Sequence, residues 1–384
     1  MKVPGVRWAP AAVAGLIIAG VSTVASAQPG PRGGIYDKPY MTGEETVKVG
    51  GYVDMEFLYT DPADTAAGSS STFDQHRLIP FFFAEVTPKL HFSTEIEYEH
   101  GGNTGEGGEI TVEYMVVDYR FTDAFQARTG IILAPLGRFN LVHDSPLNDL
   151  TDRPLVDRVI IPTTLSEAGV GLFGVMYPSK MAVMNYEVYV VNGFDEGIIA
   201  DSAGTVRIRD GRGSVSTDNN VGKSIVGRFN YSPRLGVDFG LSAHHGNYDD
   251  GGQDNLTIVA ADAELRRGPL ELLFEYAQAS VERSHLGLGK QTQLGYYAQG
   301  NFHFLQDKLM PGSTFTGVVR WDLIDFSSKG SPDDRMSRLT FGLNFRPVEK
   351  AVFKTDVQTN WLEPAGGINV RVDHRYLASV ALYF

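Results

Sequence analysis

The side chains best placed for chemistry lie in one long segment, Ala134 to Glu167. It carries Arg138, His143, Asp144, Asp149, Asp152, Arg153, Asp157, Arg158 and Glu167, interleaved with Leu147, Leu150, Leu155, Val156, Val159, Ile160 and Ile161. Acids and guanidinium groups at this density can pair with one another, hold ions or set the field of an aqueous passage. The apolar residues among them do not suit a floppy surface loop, and long structured loops are often functional. Catalytic arrangements are weaker. His244-His245-Gly246-Asn247 has no serine at a useful spacing, and one of its histidines should face inward. Asp249-Asp250 and Asp333-Asp334 sit among glycine, serine and proline, where aspartate favours turns. Oxygen ligands for calcium are abundant in the loops, without the spacing of an EF-hand. The chain has no cysteine, hence no thiolate metal site, thiol nucleophile or disulfide. These readings give a protein that is not an enzyme, with no cofactor and no metal.

The elements that must carry these residues show period two. In Phe353–Trp361 the apolar set Phe353, Val357 and Trp361 alternates with Lys354, Asp356, Gln358 and Asn360. Leu339, Phe341, Leu343 and Phe345 alternate with Arg338, Thr340, Asn344 and Arg346, and Phe92, Ile96 and Tyr98 with Glu95, Glu97 and Glu99. Such alternation marks half-buried strands. Between Val112 and Arg120 the parity of the charges switches, from Glu113 to Asp118, which predicts a β-bulge. Leu78–Phe83 is apolar on both faces and does not fix its own register. The last strand has Tyr376, Ala378, Val380, Leu382 and Phe384 on one face.

Breaks between strands alternate in length. Seven are short, such as Thr87-Pro88-Lys89 and Arg267-Gly268-Pro269, and eight are longer and more polar. The pattern predicts an all-β chain: a transmembrane antiparallel β-barrel of about sixteen strands, with short periplasmic turns and long extracellular loops. Aromatic residues gather near both kinds of break, as two interfacial girdles would require.

The N-terminus reads as a removed signal peptide, 1–27. Lys2 and Arg7 precede an apolar run, and Ala25-Ser26-Ala27 is an A-x-A cleavage site. Residues 28–45 are rich in Pro and Gly and read as a flexible periplasmic lead-in to a barrel over 46–384. The location expected is the outer membrane of a Gram-negative bacterium. Lys and Arg number 33 against 46 Asp and Glu, a net charge of −13, which argues against nucleic acid as a partner.

About sixteen strands enclose an aqueous channel. The default function is passive diffusion of small hydrophilic solutes or ions. The third outer loop, 134–167, is expected to fold inward and place its charges at a constriction. By the alternation, lumen-facing charges include Glu95, Glu97, Glu113, Arg128, Glu187, Arg228, Arg320, Asp322, Arg338, Lys354 and Asp356. Acids predominate inside, which predicts weak cation preference. Tyr376, Leu382 and Phe384 are expected to form the signal read by the barrel-assembly machinery. Outer-membrane lipid and lipopolysaccharide are the surrounding partners. A structural or surface-binding barrel with a plugged lumen is the alternative.

From Gly130 to Gly174, Gly137-Arg138-Phe139-Asn140, His143-Asp144, Asp152-Arg153-Pro154-Leu155-Val156, Ile161-Pro162-Thr163-Thr164 and Gly169-Val170-Gly171 resemble porins of the phosphate-selective O/P type. The barrel rhythm and terminal phenylalanine extend the likeness along the mature chain. The resemblance implies a homotrimer and anions such as phosphate as solutes. In that family phosphate selection relies on a ladder of arginines with a central lysine. Here inward acids outnumber inward arginines, and no single basic ladder is visible.

Overall fold

The computed structural model describes residues 46–64, 66–101, 108–213, 215–326, 335–363 and 370–384. The signal peptide and lead-in expected over 1–45, and Asp333-Asp334, lie outside the described residues. Sixteen strands follow one another: β1 Val47–Pro62, β2 Ser70–Thr87, β3 Leu90–Glu99, β4 Glu109–Thr122, β5 Phe125–Leu133, β6 Ser166–Met176, β7 Val183–Val191 and β8 Ser224–Arg234 form the first half. The second half is β9 Val237–Asn247, β10 Asn255–Arg267, β11 Leu270–Arg283, β12 Leu288–Phe304, β13 Thr314–Asp325, β14 Arg335–Val348, β15 Ala351–Glu363 and β16 Val370–Tyr383. Each pairs antiparallel with its neighbours in sequence, and β1 pairs with β16 to close the barrel.

Closure leaves no exposed sheet edge, so every strand satisfies its backbone within the ring, the condition for spanning a bilayer with strands. Alternation then sorts the side chains. Phe341, Leu343, Phe353 and Val357 are exposed on the outside, while Arg338, Thr340, Lys354 and Asp356 are buried within. Near the short turns the outer rings of Phe302, Phe304, Phe315, Phe345 and Phe353 follow one another around the wall. Toward the long loops Trp321 lies 6.2 Å from Trp361, and Tyr59 lies 5.9 Å from Tyr376.

The parity switch in β4 is a bulge. Glu95 pairs with Tyr114 and Ile96 with Val112, so Glu113 is the extra residue and turns inward. In the two-sided apolar run of β2, Ile79 and Phe81 face inward and Leu78 and Phe82 outward. The final residue closes the ring: Phe384 N–H donates to Gly51 O at 2.9 Å. A side chain on Gly51 would meet the Phe384 ring at 2.5 Å and Ile79 O at 2.5 Å, so this crossing needs glycine.

Candidate functional site

Between β5 and β6 the chain leaves the wall at Ala134 and returns at Leu165. Asn140, fully buried, ties the two ends together. Its amide donates to Ala134 O at 2.8 Å and Leu165 O at 3.2 Å, and its carbonyl accepts from Leu165 N–H at 2.9 Å. Glu167, expected within this loop, belongs instead to β6. Strand pairing with β5 already begins at Ser166, and Glu167 pairs with Ile132. Its carboxylate faces His244 at 3.1 Å. Inward burial of His244 and outward exposure of His245 follow from their parity on β9.

The loop is held by inward-facing side chains on many strands, which sets it within the ring. At its start, Gly137 adopts a positive φ of 67°, and a Cβ there would meet Glu275 Oε1 at 2.0 Å. The missing side chain lets the Glu275 carboxylate accept from Arg138 N–H at 3.1 Å and Phe139 N–H at 3.0 Å, while Gly137 N–H donates to Ser242 Oγ at 2.9 Å. The Arg138 guanidinium pairs with Glu264. His143 meets Glu113 at 3.2 Å, and Asp144 accepts from Tyr383 Oη at 2.9 Å. Asp149 accepts from Asn301, Asn344 and Arg346. Lys354 donates to Ser145 O at 3.0 Å. Asp356 accepts Thr151 N–H at 2.6 Å, and Asp322 accepts Leu155 N–H at 2.9 Å. Arg320 donates to Asp152 O at 3.0 Å, and Arg338 to the Asp152 carboxylate at 2.6 Å and to Arg153 O. Helix α1, Val156–Val159, buries Asp157 and leaves Arg158 to pair with Asp152 at 3.1 Å.

The wall charges therefore serve two purposes. Arg320, Asp322, Arg338, Lys354 and Asp356 are consumed in holding the loop. Arg128 knits β5 to its neighbour β4 through both oxygens of Asp118 at 2.7 Å, and Arg228 of β8 reaches across Gly240 of β9 to Asp262 of β10 at 2.6 and 2.8 Å. Glu187 lies 3.5 Å from Arg128 and accepts from Tyr189 Oη at 2.6 Å. Glu97 pairs with Arg77 at 3.0 Å, and Glu95 and Glu113 are buried beside it.

A second loop, 192–223, was not among the expected inward elements. Its Phe194, Ile198, Val206 and Ile208 are buried in one apolar cluster with Leu136, Ile160 and Ile161 of the first. Arg209 donates to Thr163 O at 2.9 Å and Arg212 to Thr164 O at 3.1 Å; Arg153 also donates to Thr163 O. Burial lowers the Arg209 guanidinium to about 10, and the like charges of Arg212 and Arg158 push the same way. Arg153 is lowered to about 10 by burial and by Arg77, against the pull of Glu97 and Glu113. Asp152 shows the converse. Burial would raise it, but Arg338, Arg158 and Arg320 hold it well below the usual carboxylate range. The loops thus present a cluster of arginines toward the carboxylates of β3. On the short-turn side of the loop a cavity of about 330 Å³ is bordered by Arg138, Asp149, Arg266, Glu271, Arg320 and Arg346.

No family model matches the chain. Among solved structures it is similar to the anion-selective porin of Comamonas acidovorans, with a TM-score of 0.60 and 13% identity over 88% of this chain and 99% of that one. It is also similar to the outer-membrane channel DcaP of Acinetobacter baumannii, with a TM-score of 0.58 and 10% identity over 89% of this chain and 99% of that one. The trimer form of OmpT, an outer-membrane protein of Vibrio cholerae, gives 0.56 and 10% over 88% and 99%. At these identities the likeness is one of fold. In sequence, an uncharacterized protein of Aquifex aeolicus (strain VF5) is 36% identical over 338 residues, 81% of this chain and 74% of that protein. The chain belongs to the same family as that Aquifex protein, and it has the sixteen-stranded fold of the outer-membrane porins.

Proposed function

We propose that the chain forms a water-filled channel in the bacterial outer membrane for passive diffusion of small hydrophilic solutes, narrowed by the loop 134–165. The observation that carries this reading is the fastening of that loop to inward side chains of β4 and of β9 through β16. A segment fixed on opposite walls narrows a passage without closing it by collapse. Sixteen strands give the ring the width for an aqueous lumen.

Charge on the two sides of the passage differs. Arg153, Arg158, Arg209 and Arg212 belong to the loops, whereas Glu97 and Glu99 lie on β3 with Arg77 between them. Many acids behind the expected cation preference are engaged. Asp322, Asp356 and Glu275 accept loop amides, and Asp262 and Glu264 hold arginines. The arginines of the two loops favour a weak anion preference in place of the cation preference expected from the wall acids, and anion selectivity is the property named for the Comamonas porin. Phosphate falls within that solute class, although the arginines form one cluster and not a ladder. Reversal potentials across a planar bilayer in a salt gradient test this, and clear cation selectivity would overturn it.

Export through a signal over 1–27, assembly through Tyr376, Leu382 and Phe384, and a homotrimer in lipopolysaccharide-bearing lipid complete the proposal. A plugged barrel is the second reading. The buried apolar cluster that the two loops form with inward residues of β4, β5, β7, β8 and β10 to β13 favours it. Single-channel recordings separate the two: open steps support the channel, and silent incorporated barrels support the plug.

A further inference from the structure

We propose that Asp54, Glu56 and His76 form a binding site for a divalent transition-metal cation of the zinc type on the lumen wall at β1 and β2. A ligand atom from each lies within 4.8 Å of the other two. His76 Nδ1 is 2.6 Å from Glu56 Oε1 and 3.6 Å from Asp54 Oδ2. Tetrahedral zinc bound by histidine and carboxylate has metal–ligand distances of roughly 2.0–2.2 Å, so its ligands lie about 3.4 Å apart. Asp54 already meets that spacing, and Glu56 reaches it by withdrawing less than about 1 Å.

The strand geometry is what brings the imidazole here. Asp54 and Glu56 alternate inward on β1. On β2 the inward parity is carried by Arg77, Ile79 and Phe81, which assigns His76 to the outside. Asp54 pairs with Arg77 and Glu56 with Asp74, so Gln75 and His76 together oppose Met55. This bulge re-aims His76 toward the two carboxylates, a common use of bulges beside functional sites.

Four further features fit a metal. Asp54 is 1% exposed, yet among the described residues its Oδ1 accepts no hydrogen bond, which is costly for a buried carboxylate oxygen. The second nitrogen of His76 faces Glu99 Oε1 at 3.9 Å, the side from which an outer carboxylate orients a metal-bound imidazole. The His76 ring stacks on His100 at 5.7 Å, and His100 is tied to Asp74 at 2.8 Å, so the ring plane is fixed. Glu56 and His76 remain partly open to the lumen, which leaves a path for the ion and a position for water. One nitrogen and two oxygens favour zinc or a neighbouring transition ion over calcium, which takes oxygen ligands.

Binding does not depend on the channel reading; its consequence does. A bound dication would cancel carboxylate charge opposite the loop arginines and strengthen the anion preference.

The test uses the full-length, untagged, folded barrel in detergent and Zn²⁺ itself. Calorimetry should show about one site per chain. His76→Ala should lower its affinity at least tenfold, and Glu99→Gln by roughly tenfold through lost orientation of the imidazole and lost negative charge. Heat-modifiable gel mobility verifies that each variant is folded. X-ray absorption on the zinc-loaded wild type should show one imidazole among oxygen donors near 2.0 Å. Binding unchanged by His76→Ala, a shell of oxygens alone, or no saturable binding would each overturn the site, the last leaving His76 as a hydrogen-bonded link between Asp54 and Glu56. Channel recordings with and without Zn²⁺ are read separately, so a silent barrel that binds zinc refutes the channel and not the site.

Discussion

Replacing Arg338 with methionine should release the inward loop 134–165. Arg338 is 1% exposed and bonds the Asp152 carboxylate at 2.6 Å, the Asp322 carboxylate at 3.3 Å and the Arg153 carbonyl. Breaking a buried ion pair from one side costs about 3–5 kcal/mol, because the other charge is left uncompensated. Two neighbours soften the loss: Arg158 remains 3.1 Å from Asp152, and Arg320 remains 3.0 Å from Asp322. The lower end applies, about 3 kcal/mol, or roughly a hundredfold in the ratio of docked to released loop. Single-channel recordings should then show frequent steps to a larger conductance, and limited proteolysis should cut within residues 144–158. Asp152→Asn should do the same by a smaller amount. The double variant should cost less than the sum of the two, since both remove one interaction. Wild-type conductance, noise and protease resistance in Arg338→Met would refute the assignment of these residues as loop anchors.

Other outcomes follow from the same structure. Arg209→Glu with Arg212→Glu should move the reversal potential toward cations while leaving the heat-modifiable shift of the barrel intact. Gly51→Leu should impair closure by displacing the Phe384 ring, and deletion of Phe384 should lower the folded fraction in vivo more than it changes conductance; equal assembly in both would remove Phe384 from the proposed assembly signal. Asp254 lies in the loop after β9. Burial alone would raise its carboxyl, but hydrogen bonds from Ser284 and His285 hold it at about 2. A depressed acid contributes stability that is complete above its ordinary value of 3.8 and is lost as pH falls through about 2. Asp254→Asn should therefore speed hydrogen exchange at Ser284–Leu286 at pH 7, and the difference should shrink toward pH 2.

Strand number, turn lengths and the β4 bulge are legible in the sequence because each rests on local alternation. Lys354 and Asp356 show their inward face on any reading of period two. What period two does not report is the partner across the lumen. Asp322 and Asp356 look like pore charges until the path of the loop is known, and then they are seen to accept Leu155 and Thr151 amides. Loop 192–223 is rich in Gly, Ser and Asp and reads as solvated; its inward part depends on a few apolar residues, Phe194, Ile198, Val206 and Ile208, too sparse to show a period. Arg209 and Arg212 were missed with it. His76 was hidden for a different reason, since a bulge reverses parity and parity was the only signal available. Glu167 was misplaced by one boundary, where loop composition runs into β6 without a break.

The loop between β5 and β6 also has a mechanical consequence. Its hydrogen bonds run to β4 on one side and to β9 through β16 around the other, so it works as a cross-brace inside a hoop. Lateral compression of the ring must strain or break these cross-lumen bonds as well as the wall's own. Compression of single barrels in a supported bilayer should give a lower stiffness for a chain lacking residues 144–158. On this view the path of the loop and the roundness of the barrel are set by the same bonds.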